Sequence, residues 1–265
     1  MSLTVTILGC GSSGGVPRVG QGWGACDPNN PKNRRRRCSI LVERIGDDGG
    51  KTVILVDMGA DLRNQLLDCD VSHLDAILLT HPHADHIHGI DDVRPLVIQA
   101  KQRIDLYMDA ETSGVVRDHF AYIFETPQGS YYPPLLTEKR LYPGKLCIVK
   151  GAGGAIEAMP FRLDHGEIPS LGFRFGNVAY SPDLNGIPTE SRQALEGLDL
   201  WIVDALCYTP HPSHFSLPET LEWIERVKPK RAILTNLHTD LDFARLQGEL
   251  PANVEPAFDG MQLSI

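Results

Sequence analysis

The chain has 265 residues, 42% of them hydrophobic, and a net charge of −9. That apolar content can bury one substantial core, while the acidic balance disfavours a protein whose main affinity is for a nucleic-acid backbone. No apolar run reaches the length of a membrane span and the amino terminus lacks a signal-peptide pattern, so a cytoplasmic protein is expected.

A strand over 3–8 runs into Gly9-x-Gly11-x-x-Gly14, which matches the dinucleotide fingerprint in its letters. The fingerprint needs a helix to open at once, so that its amides hold a pyrophosphate. Gly15, Pro17, Gly20, Gly22 and Gly24 follow instead, so these glycines more simply let backbone pass close beside a site or a substrate. Lys32 and the four arginines 34–37 then form a basic run, which either steers a phosphorylated substrate or makes surface ion pairs. The six cysteines (Cys10, Cys26, Cys38, Cys69, Cys147 and Cys207) follow no framework spacing and read as reduced thiols.

Strands over 38–44 and 52–57, a helix over 60–68 and a strand over 76–79 lead to His81, His83, Asp85 and His86. In extended chain, residues two apart point the same way, so His81 and His83 can grip one ion. Asp85 and His86, past the bend, face a neighbouring ion with the mixed oxygen and nitrogen ligation that zinc, manganese or iron accepts. Of 10 histidines, four (His81, His83, His86 and His88) fall within eight positions, which chance in a surface loop explains poorly. His88 lies outside the spacing and reads as a supporting or surface residue.

A helix can begin within 87–97. Strands follow over 104–107, 146–149, 156–162, 171–175, 178–180, 200–203 and 232–235, with helices over 112–120, 189–196 and 217–227. The last helix carries Ser216 as cap, Pro218 in its first turn and Glu219 three residues after the cap. Between these elements, residues 126–134 are too rich in proline and glycine for regular structure. Tyr131 and Tyr132 there either stack on a base or ribose or pack against the body. The alternation suits two sheets face to face with helices outside, as a single domain over 1–265.

The string His81-x-His83-x-Asp85-His86 resembles the signature of the metallo-β-lactamase superfamily. That resemblance implies an α/β fold, a four-layer αββα sandwich, with one or two metals at the sheet edges. Val56, Asp57, Met58 and Gly59 resemble the family's strand-Asp-x-Gly element, whose Asp supports the metal loop. His165 resembles the third histidine on the first metal, and Asp183 the carboxylate that bridges both. Close relatives carry a histidine directly after the threonine of the 232–235 strand, where this chain has Asn236. His238 would point to the same side if the chain stayed extended, so it is expected on the second metal, with Asn236 as the alternative oxygen ligand.

Within the superfamily the chain is most similar to the PhnP-type cyclic phosphodiesterases. The glycine-rich entry from Leu8 to Pro17, the run from Arg35 to Ser39, and the ending Phe258, Asp259, Gly260 and Met261, similar to a terminal strand there, carry that likeness. His214 falls where those enzymes place a histidine that protonates the leaving group; the alternative is a loop histidine paired with His211. Those enzymes also hold a structural zinc on a cysteine cluster and a late histidine. Here only Cys26 remains and Thr239 stands at the histidine's place, so no structural zinc is expected. No insertion resembles the RNA-holding arm of ribonuclease Z.

The resemblance implies a metal-dependent phosphodiesterase for a small cyclic phosphate, either phosphoribosyl 1,2-cyclic phosphate or a 2',3'-cyclic nucleotide. Two divalent ions, zinc or manganese, would make a shared water acidic enough to attack near neutral pH. His81, His83 and His165 would hold one ion, and Asp85, His86 and His238 the other, with Asp183 bridging. His214 and Asp85 would serve the chemistry, and Tyr131 and Tyr132 the substrate. The expected partner is a small phosphorylated molecule, which includes nucleotides, with neither membrane nor nucleic acid; a homodimer is left open. The alternatives are hydrolysis of another ester, a thioester or a lactam, and a non-catalytic nucleotide-binding protein. His73 and His119 match no landmark.

Overall fold

The structure, a computed structural model, describes residues 3–264; Met1, Ser2 and Ile265, the ends of the domain expected over 1–265, lie outside the described residues. Strands β1 (Leu3–Gly9), β2 (Ser39–Ile45), β3 (Lys51–Val56), β4 (Ala76–Leu78), β5 (Ile104–Met108) and β6 (Leu136–Arg140) lie side by side in that order. A second sheet holds β7 (Cys147–Gly151), β8 (Gly154–His165), β9 (Ile168–Phe175), β10 (Val178–Ser181), β11 (Leu200–Asp204), β12 (Arg231–Thr235) and β13 (Val254–Pro256). The chain then returns as β14 (Gln262–Ser264), antiparallel to β1 at the edge of the first sheet. Strands β3 to β6 run parallel, as do β10 to β13, so several strands of each sheet end on the same side of their sheet.

Period-two alternation sorts the strand residues between two buried faces. Ile54 and Val56 of β3 join Ala76 and Leu78 of β4 in an inner core that includes Phe173, Tyr180, Ile202 and Ile233 of the second sheet. Val53, Leu55 and Ile77 face the other way, against α1 (Leu62–Asp68), α2 (Ala84–Ile87), α3 (Arg94–Ala100) and α4 (Ala110–Phe120) through Leu62, Ile87, Val97 and Val116. On the second sheet Trp201 and Val203 pack outward onto α5 (Leu217–Val227) and α6 (Phe243–Glu249) through Ile224 and Leu246. The result is the four-layer αββα sandwich. Helix α5 begins where the sequence places it: Ser216 and Glu219 form a reciprocal capping box, an arrangement that stabilises a helix start by about 1 kcal/mol.

Some local expectations fail for identifiable reasons. Residues 189–196 form a 3-10 helix (Thr189–Leu195) with no side-chain cap, closed by bonds such as Ser191 N to Pro188 O. Strand β6 was not foreseen, because its sequence Leu-Thr-Glu-Lys-Arg is charged; it is an edge strand, and its later residues meet solvent. Phe258 to Met261, likened to a terminal strand, instead make a turn that bonds Ile7, and the strand follows as β14. The fingerprint-like glycines are followed by turns and isolated bridges, with no helix among the described residues before Pro31.

The basic run is mostly structural. Arg36 pairs with Asp68, Arg37 bonds Asp61 at 2.9 Å, and Arg34 lies over the Trp23 ring. Arg35 is buried at 2% exposure and donates to the carbonyls of Leu241 (2.7 Å) and His238 (3.2 Å) and to Asn33 Oδ1 (3.3 Å). It thereby staples the glycine-rich entry to the turn after β12. Arg35→Met removes every one of these donors and should lower unfolding stability by about 2–4 kcal/mol. The check is the urea midpoint; an unchanged midpoint would mean those acceptors find other donors.

Candidate metal centre

The carboxylate that closes β3 sets the site. Asp57 is fully buried and sits at φ 64°, so the chain turns sharply as the strand ends. Its Oδ1 accepts from Thr80 N at 2.9 Å; its Oδ2 accepts from Thr80 Oγ1 and from His86 Nδ1, both at 2.8 Å. Burial pushes the Asp57 carboxyl up, while His86 and Thr80 oppose that rise. The loop after β4 is held from the other side by Met58 N, which donates to His86 O at 2.8 Å. A Cβ at Gly59 would collide with Asp85 O, and one at Gly89 with Gly59 O, so both positions require glycine for this close approach.

These bonds choose the imidazole tautomers. Thr80 Oγ1 gives its proton to Asp57 and therefore accepts from His81 Nδ1 at 2.9 Å, which leaves His81 Nε2 bare. His165, at the end of β8, donates Nδ1 to Ser213 O at 2.6 Å and likewise turns a bare Nε2 inward. His83 Nδ1 lies 3.0 Å from His81 Nε2 and 3.2 Å from His165 Nε2. A proton on His83 Nδ1 satisfies one of these contacts; a cation among the three nitrogens satisfies all of them. Burial lowers the pKa of all three imidazoles, most strongly at His81, and so favours the unprotonated form that binds metal.

A second convergence lies beside the first. His81, His86 and Asp183 form one group of mutually close ligand atoms, and His165, Asp183 and His214 another. Asp183 Oδ1 is buried and accepts no hydrogen bond, although His86 Nε2 is 3.4 Å away. Asp85 Oδ2 is also 3.4 Å from that nitrogen. Burial acts against the Asp183 and Asp85 carboxylates, yet the neighbouring imidazoles, His86 foremost, hold both below the usual range. Burial disfavours the His86 imidazolium too, but Asp183, Asp85 and Asp57 outweigh it and push its pKa well up. A pocket with this surplus of buried carboxylate and an orphaned oxygen suits divalent cations.

His214 Nδ1 donates to Asp204 Oδ2 at 2.7 Å, and its Nε2 lies 3.9 Å from Asp183 Oδ2. Burial opposes the charge on His214, but Asp204 and then Asp183 raise its pKa to about 9. The sequence reading did not single out Asp204. Its signal was present all the same: a carboxylate at the end of the buried apolar strand Leu200–Asp204, the pattern that Asp57 shows after Val56.

His238 stands apart from these groups. Asn236, just past β12, takes φ 61°, so the chain leaves the extended form and residues 236 and 238 no longer share a side. Asn236 turns inward and its Nδ2 donates to Pro182 O at 3.1 Å, while His238 Nε2 meets the Arg18 guanidinium. The centre opens into a cleft of about 620 Å³. Tyr131 and Tyr132 are exposed on their loop and have no place in its lining; the Arg94 guanidinium lies over the Tyr132 ring. His88 is exposed beside Phe120. Among the described residues no helix is long and apolar enough to cross a membrane.

Asp57→Asn keeps the size of the side chain but offers one acceptor oxygen where three donors, from Thr80 and His86, converge on two. Metal affinity should fall by about 10–100-fold, as measured by metal retention against a chelator; unchanged affinity would mean the loop holds its shape without that carboxylate.

A family model described as a beta-lactamase superfamily domain matches residues 52–236. The chain is 35% identical to a crystal structure described as a new diphosphatase from the PhnP family, at a TM-score of 0.88, covering 100% of this chain and 98% of that one. The Zn(2+)-bound PqqB of Methylobacterium extorquens shares the fold, with 16% identity, a TM-score of 0.76, and coverage of 98% of this chain and 99% of that one. An octanoyltransferase of Porphyromonas gingivalis is 31% identical over 270 residues, 98% of this chain; the chain spans only 51% of that longer relative.

Proposed function

Because this chain belongs to the PhnP family within the beta-lactamase superfamily and is a metal-dependent hydrolase, we propose that it is a phosphodiesterase acting on a small cyclic phosphate. The observation that carries this reading is the meeting of ring nitrogens of His81, His83 and His165 beside the buried carboxylate of Asp183. His81, His83 and His165 would hold one divalent ion, zinc or manganese, and Asp85 and His86 a second, with Asp183 shared. Bound there, the ions would neutralise phosphoryl oxygens and acidify a water near neutral pH. The cleft of about 620 Å³ suits a small molecule.

The protein's own groups supply the proton traffic. Asp85 lines the cleft, and its lowered pKa keeps it ionised at neutral pH, able to accept a proton from a water beside it. His214, with its pKa raised to about 9, carries a proton at neutral pH, and Asp204 fixes its ring by holding Nδ1. Its Nε2 faces the cleft on the Asp183 side and can protonate a departing alkoxide, which leaves poorly otherwise.

Elemental analysis together with hydrolysis of bis-para-nitrophenyl phosphate and 2',3'-cyclic nucleotides, with and without manganese, tests the reading. Metal-dependent turnover supports it, and its absence in the metal-loaded protein refutes it. His81→Ala and Asp183→Ala should each lower kcat at least about a hundredfold; full turnover in either sinks the assignment. His214→Ala should cost about 10²–10³ in kcat on substrates with alkoxide leaving groups and much less on aryl esters. Equal losses on both would remove its acid role.

A further inference from the structure

The second sheet's share of the centre comes from three segments far apart in the chain. His165 ends β8, Asp183 stands just past β10, and His214 lies between β11 and α5, yet their ligand atoms are mutually close. Local geometry cannot set that spacing. The strap 182–186, which carries Asp183, is bonded at every residue to the elements around it. Pro182 O accepts from Asn236 Nδ2 (3.1 Å) and Asp183 O from Ser170 Oγ (2.5 Å). Leu184 N donates to Asp204 Oδ2 (3.1 Å), Leu184 O accepts from Phe215 N (2.6 Å), and Gly186 O accepts from Asp164 N (3.0 Å).

Asn185 joins the strap to both of the other segments. Its backbone N–H donates to Asp164 O at 2.8 Å, its Oδ1 accepts from Gly166 N at 3.1 Å, and its Nδ2 donates to Pro212 O at 2.7 Å. The amide can lie only this way round, because Gly166 N has only a proton to give and Pro212 O only lone pairs. Its partners flank His165 on both sides and stand two residues before His214, while Asn185 itself stands two residues after Asp183.

The turn after His165 and the loop before His214 meet a second time, further in, where His165 Nδ1 donates to Ser213 O at 2.6 Å. The rings of His165 and His214 are 4.7 Å apart. Gly166 takes φ 59°, and a Cβ there would come within 3.0 Å of Ser213 Cβ, so the two segments pack closely. Asn185 itself is exposed and has no place in the cleft lining. Water can replace either of its side-chain bonds singly, but separate waters do not fix the distance between Gly166 N and Pro212 O. One planar amide, with donor and acceptor on the same carbon, does.

We infer that Asn185 is a positioning residue for the centre: its amide sets the spacing between the His165 turn and the His214 loop, and so aims His165 at an ion and His214 into the cleft. The His165 part rests on metal binding alone, and the His214 part on its acid role in the phosphodiesterase reading.

Asn185→Ala tests it. Metal retention against a chelator should fall about fivefold or more. At saturating metal, kcat on a 2',3'-cyclic nucleotide, which has an alkoxide leaving group, should fall about tenfold with KM within about twofold, and the loss on bis-para-nitrophenyl phosphate should be clearly smaller. In a His214→Ala background the same substitution should change that leaving-group ratio no further, because the group it aims is gone. Asn185→Gln, which carries the same donor and acceptor on a longer stem, should recover part of both effects. Wild-type metal retention with a wild-type leaving-group ratio in Asn185→Ala overturns the inference. So does a loss equal on both substrates that tracks a lowered urea midpoint, the mark of a merely structural residue. If the metal-loaded wild-type protein turns over no diester, the phosphodiesterase reading falls alone, and metal retention at an unchanged urea midpoint decides on Asn185: a fall upholds its role and wild-type retention overturns it.

Discussion

The buried carboxylate of Asp57 is the contact on which the site depends. One side chain at the end of β3 orders the backbone of Thr80, the hydroxyl of Thr80 and the ring of His86, and through that hydroxyl the ring of His81. The Nε2 of His81 is thus left bare by a residue that is not itself among the candidate ligand groups. Burying a carboxylate is costly, and three hydrogen bonds offset the cost only while the loop keeps this shape. The absence of side chains at Gly59 and Gly89 lets the loop come close enough for those bonds to form.

The two sheets divide the labour. The first sheet contributes the His81 to His86 loop, whose geometry is local and set by Asp57. The second contributes His165, Asp183, Asp204 and Asn236 from the ends of four separate strands; Ser213 O orients His165, Pro182 O orients Asn236, and Asp204 in turn orients His214. Two of the three candidate ligand groups draw on both halves. The inner core that presses the sheets together, from Val56 and Leu78 on one side to Tyr180 and Ile202 on the other, is therefore also what assembles the centre.

The glycine-rich entry forms the remaining wall and has no regular structure of its own. Its shape is borrowed from Arg35, whose buried guanidinium ties it to carbonyls in the turn after β12, and from Asp259, which accepts from Cys10 N and Arg36 N at 3.2 and 2.8 Å. Within a run of four arginines, adjacent side chains therefore do different work: one staples the interior, two make ion pairs and one stacks on Trp23.

The sequence by itself determined what depends on short spacing. Period-two apolar runs marked most of the strands, the capping box marked α5, and the spacing of His81, His83, Asp85 and His86 marked one half of the centre, because direction within an extended stretch or a single turn follows from local geometry. The family resemblance marked Asp57 at the end of an apolar strand, and Asp204 closes a strand of the same pattern. Tertiary structure alone decided the rest. That His238 turns from the ligand groups follows from a left-handed residue at Asn236, a conformation local composition does not announce. The partners of Arg18, 220 positions away at His238, and of His165, 48 positions away at Ser213, exist only once the layers have packed. Charge in a sequence says that an arginine needs a partner; only the folded chain, by what it buries beside that arginine, says which arginine is left facing the cleft without a carboxylate.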